Sequence, residues 1–164
     1  MTTINRATTT EAYQQITQMA NTIWREHYTS IIGNAQVDYM LEKFQSVEAI
    51  AEQIEGGYEY YTIAYDGKQV GYLSIRQEDD ILFLSKIYIL KPFRGKKIGQ
   101  KAMQFIEARA KELECSQLQL TVNKNNTNSI LAYERLGFEK VETLVIDIGN
   151  GFVMDDFRME KNLD

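Results

Sequence analysis

A strand-like run, "ILFLSKIYIL" at residues 81–90, is followed by Pro92, a helical stripe beginning at Ile98, and a second strand-like run, "QLQLTVN", at 117–123. This succession constrains the fold more than any other feature of the chain. The stripe sets Ala102, Phe105, Ile106, Arg109 and Leu113 on one side of a helix of about four turns. A helical crossover between two strands of one sheet makes those strands parallel.

The flanking segments predict antiparallel pairing instead. "YEYYTIAYD" and "QVGYLSIRQ" are split by Asp66-Gly67, a strong hairpin signal, and the second is parted from residues 81–90 by Asp79-Asp80. The C-terminal segment reads as two strands around Gly149-Asn150-Gly151, and residues 3–8 read as a short first strand. Thr10 is the expected N-cap of a helix whose stripe comprises Ala12, Ile16, Met19, Ala20, Ile23 and His27. Two shorter helices follow the break at Gly33-Asn34, the second closed by Gly56-Gly57. After 117–123, Asn125, Asn126 and Thr127 offer N-caps for another short helix that ends at Gly137, with Phe138 folding back on it. The expected class is α+β: a mixed, mostly antiparallel sheet of about seven strands with helices on both faces.

The 164 residues, 44% of them hydrophobic, suit a single domain spanning 1–164. A net charge of −5 sets the molecule as a whole against nucleic acid and anionic membranes. No apolar run approaches the ~18 residues needed to cross a bilayer. Cys115 is the lone cysteine, and "MTTINRATTTEAYQQ" lacks the cationic start and apolar stretch of a signal peptide, so a reducing, cytoplasmic setting is expected.

Against that acidic background, "KPFRGKKIGQKAM" at residues 91–103 is strongly basic. It lies where a helix begins, and a helix N-terminus presents unpaired N–H groups and a partial positive charge. Gly95 and Gly99 allow close backbone approach, while Arg94, Lys96, Lys97 and Lys101 supply cations. Two or more phosphates fit this many donors. The stretch matches neither the P-loop spacing nor the dinucleotide fingerprint. Read alone, such a loop is more often a turn with a solvated helix start.

Three pieces in order, "IYILKPFRGKKIG", "LQLTVN" and "NTNSILAYERLGF", resemble the GCN5-related N-acetyltransferase (GNAT) family, with a feel of its bacterial spermidine/spermine-type members. The resemblance implies acetyl-coenzyme A as cosubstrate, with no metal. It implies that Arg94, Gly95, Lys96, Lys97, Ile98, Gly99 and Gln100 hold the coenzyme pyrophosphate. Lys97 stands where the family pattern has glycine; helical dihedrals at a first turn still aim its amide at phosphate. Ile87, Tyr88 and Ile89 would face the pantetheine arm, with a backbone N–H near Ile89 polarising the thioester carbonyl. Asn126 resembles a side chain that hydrogen-bonds the coenzyme in relatives, and Tyr133 matches the acid that protonates the departing thiolate.

The acceptor side is expected to involve Trp24, His27, Tyr28 and Asp155, with Asp156 adjacent in sequence but on the opposite strand face. "DIGNGFVMDDFRMEK" is similar to the terminal hairpin of members that acetylate polyamines, which implies a small cationic amine. No base is identified, and Cys115 is not assigned an acetyl intermediate. Rival readings are a protein N-terminus or lysine as acceptor, and a coenzyme-binding sensor without turnover. A homodimer is compatible with each.

Overall fold

The computed structural model describes residues 1–163. In chain order its elements are β1 (Thr2–Arg6), α1 (Thr10–Ile32), α2 (Asn34–Gln45), α3 (Val47–Glu55), β2 (Glu59–Tyr65), β3 (Lys68–Glu78) and β4 (Ile81–Ile89). They continue as α4 (Ile98–Glu112), β5 (Gln117–Asn123), α5 (Thr127–Arg135), β6 (Glu139–Gly149) and β7 (Phe152–Asn162). Seven strands form one sheet in the order β1-β2-β3-β4-β5-β7-β6. The expected crossover is present: β4 and β5 are parallel, and the other neighbouring strands are antiparallel. The α+β class and the mixed sheet match the sequence expectation.

Local chemistry accounts for the ends of these elements. Asp66 and Gly67 both take positive φ, 50° and 84°, the backbone that lets a tight turn follow the twist of β2 and β3. Thr9, one residue before the expected cap, accepts the amide of Ala12 and starts α1. Gly137, at φ 100°, ends α5 and returns the chain so that the Phe138 amide donates to the Tyr133 carbonyl at 3.0 Å.

Helices cover both faces of the sheet, and each face has its own core. On one, Ile98, Ala102, Ile106 and Ala110 of α4 pack with Leu73, Ile75, Leu82, Leu84, Leu118 and Leu120. On the other, Ile16, Ala20, Ile23 and Trp24 of α1 pack with Val37, Ile50, Tyr60 and Tyr72. A buried polar chain threads this second core: Trp24 Nε1 donates to Tyr72 Oη at 3.0 Å, and Tyr72 Oη donates to Gln45 Oε1 at 2.6 Å. Tyr60 and Tyr61 alternate across β2, and both serve packing. Tyr60 is fully buried, and Tyr61 lies edge-on to Phe105.

Two irregularities in β4 open a space in the sheet. Its ladder with β5 covers only Ile81↔Gln117, Leu82↔Leu118 and Phe83↔Gln119, after which the strands part. Against β3, the register passes from Ile75↔Leu84 to Ser74↔Lys86, so Ser85 is the extra residue of a bulge. A bulge bends its strand and shifts the side chains beyond it to the opposite face. Leu82 and Leu84 accordingly belong to the α4 core, whereas Tyr88 packs with the α1 core.

Candidate active site

The parting of β4 and β5 opens a cavity of about 770 Å³ that reaches both faces of the sheet. Its α4 and α5 side is lined by Arg94, Gly99, Met103, Ser129 and Tyr133, and its α1 and α2 side by Trp24, His27, Tyr28, Gln36 and Met40. Ile87, Tyr88 and Ile89 form the wall between, with Asn126 at the rim of α5. Beyond Phe83, the backbone edge of β4 facing β5 has no ladder partner. An extended ligand arm can pair there as an added strand does.

The basic junction forms the mouth of this cavity. Lys91–Phe93 make a single 3-10 turn containing Pro92, and Arg94 folds back so that Nε donates to the Ile89 carbonyl at 3.1 Å. Gly95 turns the chain at φ 83°, and Lys97 takes φ 63° and ψ 18°, a left-handed conformation rather than the helical one expected. This corrects the expectation: the position still has glycine geometry although lysine occupies it. Lys101 N–H to Lys97 O, 3.1 Å, closes the first turn of α4, so the amides of Ile98, Gly99 and Gln100 lack intrahelical acceptors. A Cβ built on Gly99 meets nothing within 4 Å. Among the described residues, Lys91, Arg94, Lys96, Lys97 and Lys101 make no ion pair. Open space, free amides and uncompensated cations together fit a pyrophosphate. Gly95, Lys96, Lys97 and Gln100 are exposed around this mouth, whereas the Ile98 side chain is buried in the α4 core and has only its amide to offer.

Asn126 stands at the N-cap of α5, yet its side chain makes no capping bond. It is 5% exposed and its Nδ2 lies 2.8 Å from His27 Nε2 on α1. Burial holds the His27 pKa below its ordinary value, and the Arg94 charge lowers it further. The imidazole is therefore neutral at pH 7. Tyr133 is half-buried, its ring edge-on to Phe138 at 5.7 Å. Burial raises its pKa well above the ordinary phenol value and keeps the hydroxyl protonated. Tyr28 and Tyr88 share a hydroxyl contact of 2.9 Å, and burial pushes Tyr28 up to about 12.

The acidic pair is divided differently from the sequence expectation. Asp155 turns outward, its side chain 53% exposed and paired with Lys124 at 2.7 Å, whereas Asp156 lines the cavity and is 2% exposed. The cause is register: Asp156 sits opposite Asn123 at the open end of β5, and Asp155 takes the other face. Asp156 is the one carboxylate among the described lining residues. Burial raises its pKa to about 6, Asp155 adds to the shift, and Lys124 opposes it. Lys86, which sequence reasoning did not single out, also lines the cavity. Strict alternation with Leu82 and Leu84 would place it on their face, and the bulge at Ser85 moves it.

Residues 16–138 match the model of the acetyltransferase (GNAT) family. The uncharacterized N-acetyltransferase YjgM of Escherichia coli K12 is 31% identical over 90 residues, covering 52% of this chain and 54% of its own length. The chain thus spans about half the length of that relative. An uncharacterized N-acetyltransferase of Lactobacillus delbrueckii subsp. lactis, from the pepI 3′ region, is 25% identical over 154 residues, covering 86% of this chain and 88% of its own. Among solved structures, PaiA N-acetyltransferase of Thermoplasma acidophilum in complex with coenzyme A superposes with a TM-score of 0.83 at 18% identity, covering 99% of each chain. The ribosomal-protein-S18-alanine N-acetyltransferase of E. coli gives 0.75 at 16%, covering 100% of this chain and 95% of its own. The fold is theirs, the family model covers most of the sequence, and the chain belongs to the acetyltransferase (GNAT) family, whose members are acetyl-coenzyme A-dependent N-acetyltransferases.

Proposed function

We propose that the protein transfers an acetyl group from acetyl-coenzyme A directly to a primary amine, and that the acceptor is a small cationic molecule of polyamine type. One observation carries this reading: a single cavity joins an anion cradle on the α4 side to a buried carboxylate, Asp156, on the α1 side. The fold neighbours include an enzyme named for a ribosomal protein, so the fold leaves the acceptor class open. Asp156, which shares the cavity lining with Trp24, Tyr28 and Tyr58, supports a cation. The exposed Val145 and Val153 on β6 and β7 support a homodimer, and the lone buried thiol of Cys115 supports a reducing, cytoplasmic setting.

In this reading the α4 amides, Arg94 and the neighbouring lysines hold the pyrophosphate, and the free edge of β4 at Ile87–Ile89 holds the pantetheine arm. The coenzyme supplies the activated acyl group. An alkylammonium must lose a proton before it can attack. Asp156, ionised at pH 7, holds the ammonium at the gap and can take that proton. Tyr133, protonated throughout the neutral range, is the donor for the leaving thiolate. A Cys115 intermediate has no support, because that thiol lies outside the cavity lining and burial raises its pKa.

The test is an acceptor screen of polyamines, aminoglycosides, amino acids and peptides, read by release of free thiol. Turnover is expected with polyamines. Turnover confined to peptides overturns the acceptor class, and a chain that binds coenzyme A but turns over nothing overturns the enzymatic reading.

A further inference from the structure

Lys86 is the one lysine among the described residues lining the cavity. Period-two alternation along β4 would put it beside Leu82 and Leu84, in the α4 core. The extra residue Ser85 instead aligns Lys86 with Ser74, two residues before Tyr88, on the face that packs against α1. The strand is thus irregular at the point that delivers this amine to the acceptor side. Its Nζ contacts Ser85 Oγ at 2.8 Å, and among the described residues no carboxylate pairs with it. A structural lysine in such a place is ordinarily neutralised by a partner.

We propose that Lys86 is a self-acetylation site, its ε-amine taking an acetyl group from acetyl-coenzyme A held in the same cavity. The inference rests on the coenzyme half of the reading above and is independent of which external amine is used. The ammonium first releases a proton to solvent. The free amine then attacks the thioester carbonyl carbon, a C–N bond forms and the C–S bond breaks. The second nitrogen proton accompanies the departing thiol, so amide and coenzyme A thiol are the only products.

Burial without a compensating anion lowers the Lys86 pKa to about 8. At pH 7 roughly one Lys86 in ten is then the free amine, a few hundredfold more than for a solvated lysine. Proximity adds to this advantage, since both reacting groups occupy one cavity. Acetylation removes the lysine charge from the lining and leaves Asp156 to face a cationic acceptor.

The test incubates the purified chain with acetyl-coenzyme A and no acceptor, and follows it by intact mass and tryptic mapping. Acetylation blocks cleavage after Lys86, and Pro92 protects the bond after Lys91, so the peptide from Gln77 to Arg94 survives whole. Lys86 is expected to be modified at least about tenfold faster than the exposed Lys111, with excess coenzyme A suppressing it and the rate per chain independent of protein concentration. Equal rates at Lys86 and Lys111, in a chain whose melting temperature rises with coenzyme A, overturn the proposal alone. Equal rates with no melting shift overturn the coenzyme reading, and the proposal falls with it.

Discussion

The Asn126 side-chain nitrogen lies 2.8 Å from Nε2 of His27 and ties the first turn of α5 to α1 across 99 residues of sequence. The bond closes one wall of the cavity between its α5 and α1 sides. His27 is the only histidine in the chain, so its ring gives a single reporter signal. Its proton NMR titration should have a midpoint below 6.5. Coenzyme A should raise it, since a pyrophosphate at Arg94 compensates the charge that lowers it. A midpoint unmoved by coenzyme A removes Arg94 from the pyrophosphate site. The stability sign follows from the same shift: the unfolded chain binds this proton more tightly, so acidification below 6.5 favours unfolding.

Tyr133→Phe removes only the hydroxyl from a ring that also packs on Phe138. Stability and coenzyme affinity should stay near wild type, while kcat should fall on the order of 100-fold, the usual contribution of a positioned proton donor. Steady-state kinetics beside a coenzyme melting-shift assay separate the two. An unchanged kcat would take Tyr133 out of the acid role.

Asp156→Asn should weaken kcat/KM for a cationic acceptor by roughly 30-fold or more while leaving coenzyme affinity intact. Its stability effect has the opposite sign. The folded pKa of Asp156, about 6, lies above the ordinary 3.8, so ionisation costs the native state stability as pH rises through that interval. The variant should therefore be more stable than wild type at pH 8 by about 3 kcal/mol, and the difference should vanish below about pH 3. Chemical denaturation at the two pH values measures this. Loss of the acid limb near pH 6 from the activity profile is the matching kinetic signature.

The order of strands and helices was legible because turn chemistry and hydrophobic period agree along most of the chain. Asp66-Gly67 and Asn150-Gly151 mark hairpins that the structure contains, and the crossover into β5 was read from one proline and one helical stripe. The site was less legible where tertiary register overrides local pattern. Period two separated Asp155 from Asp156, but only the pairing of β7 with β5 shows which of them faces the gap. Asn126 looked like a cap, and its side chain is instead spent on His27. Lys86 was invisible because a bulge at Ser85 leaves no mark in a run of apolar residues. Lys97 looked like the first helical residue, yet the turn from Gly95 requires a left-handed residue before α4.

That left-handed pair allows backbone and charge to be separated at the anion cradle. Gly95 and Lys97 have φ of 83° and 63°, and a Cβ at Gly95 meets nothing within 4 Å, so Gly95→Ala carries a conformational cost without a clash. That cost is about 1–2 kcal/mol and should appear both as a lower Tm and as weaker coenzyme binding, because the α4 amides shift with the turn. Lys97→Gly should do the reverse for stability, relieving strain of about 1 kcal/mol and raising Tm by about 2–4 °C. Lys97→Ala keeps the strained backbone and removes the same charge. Calorimetry with coenzyme A at low and high salt then assigns the role of the side chain. Both Lys97 variants should bind several-fold more weakly than wild type at low salt, and the deficit should disappear where salt screens the exposed cation. Tighter binding by Lys97→Gly than by wild type at high salt would instead show that lysine occupies this position at the expense of the backbone geometry.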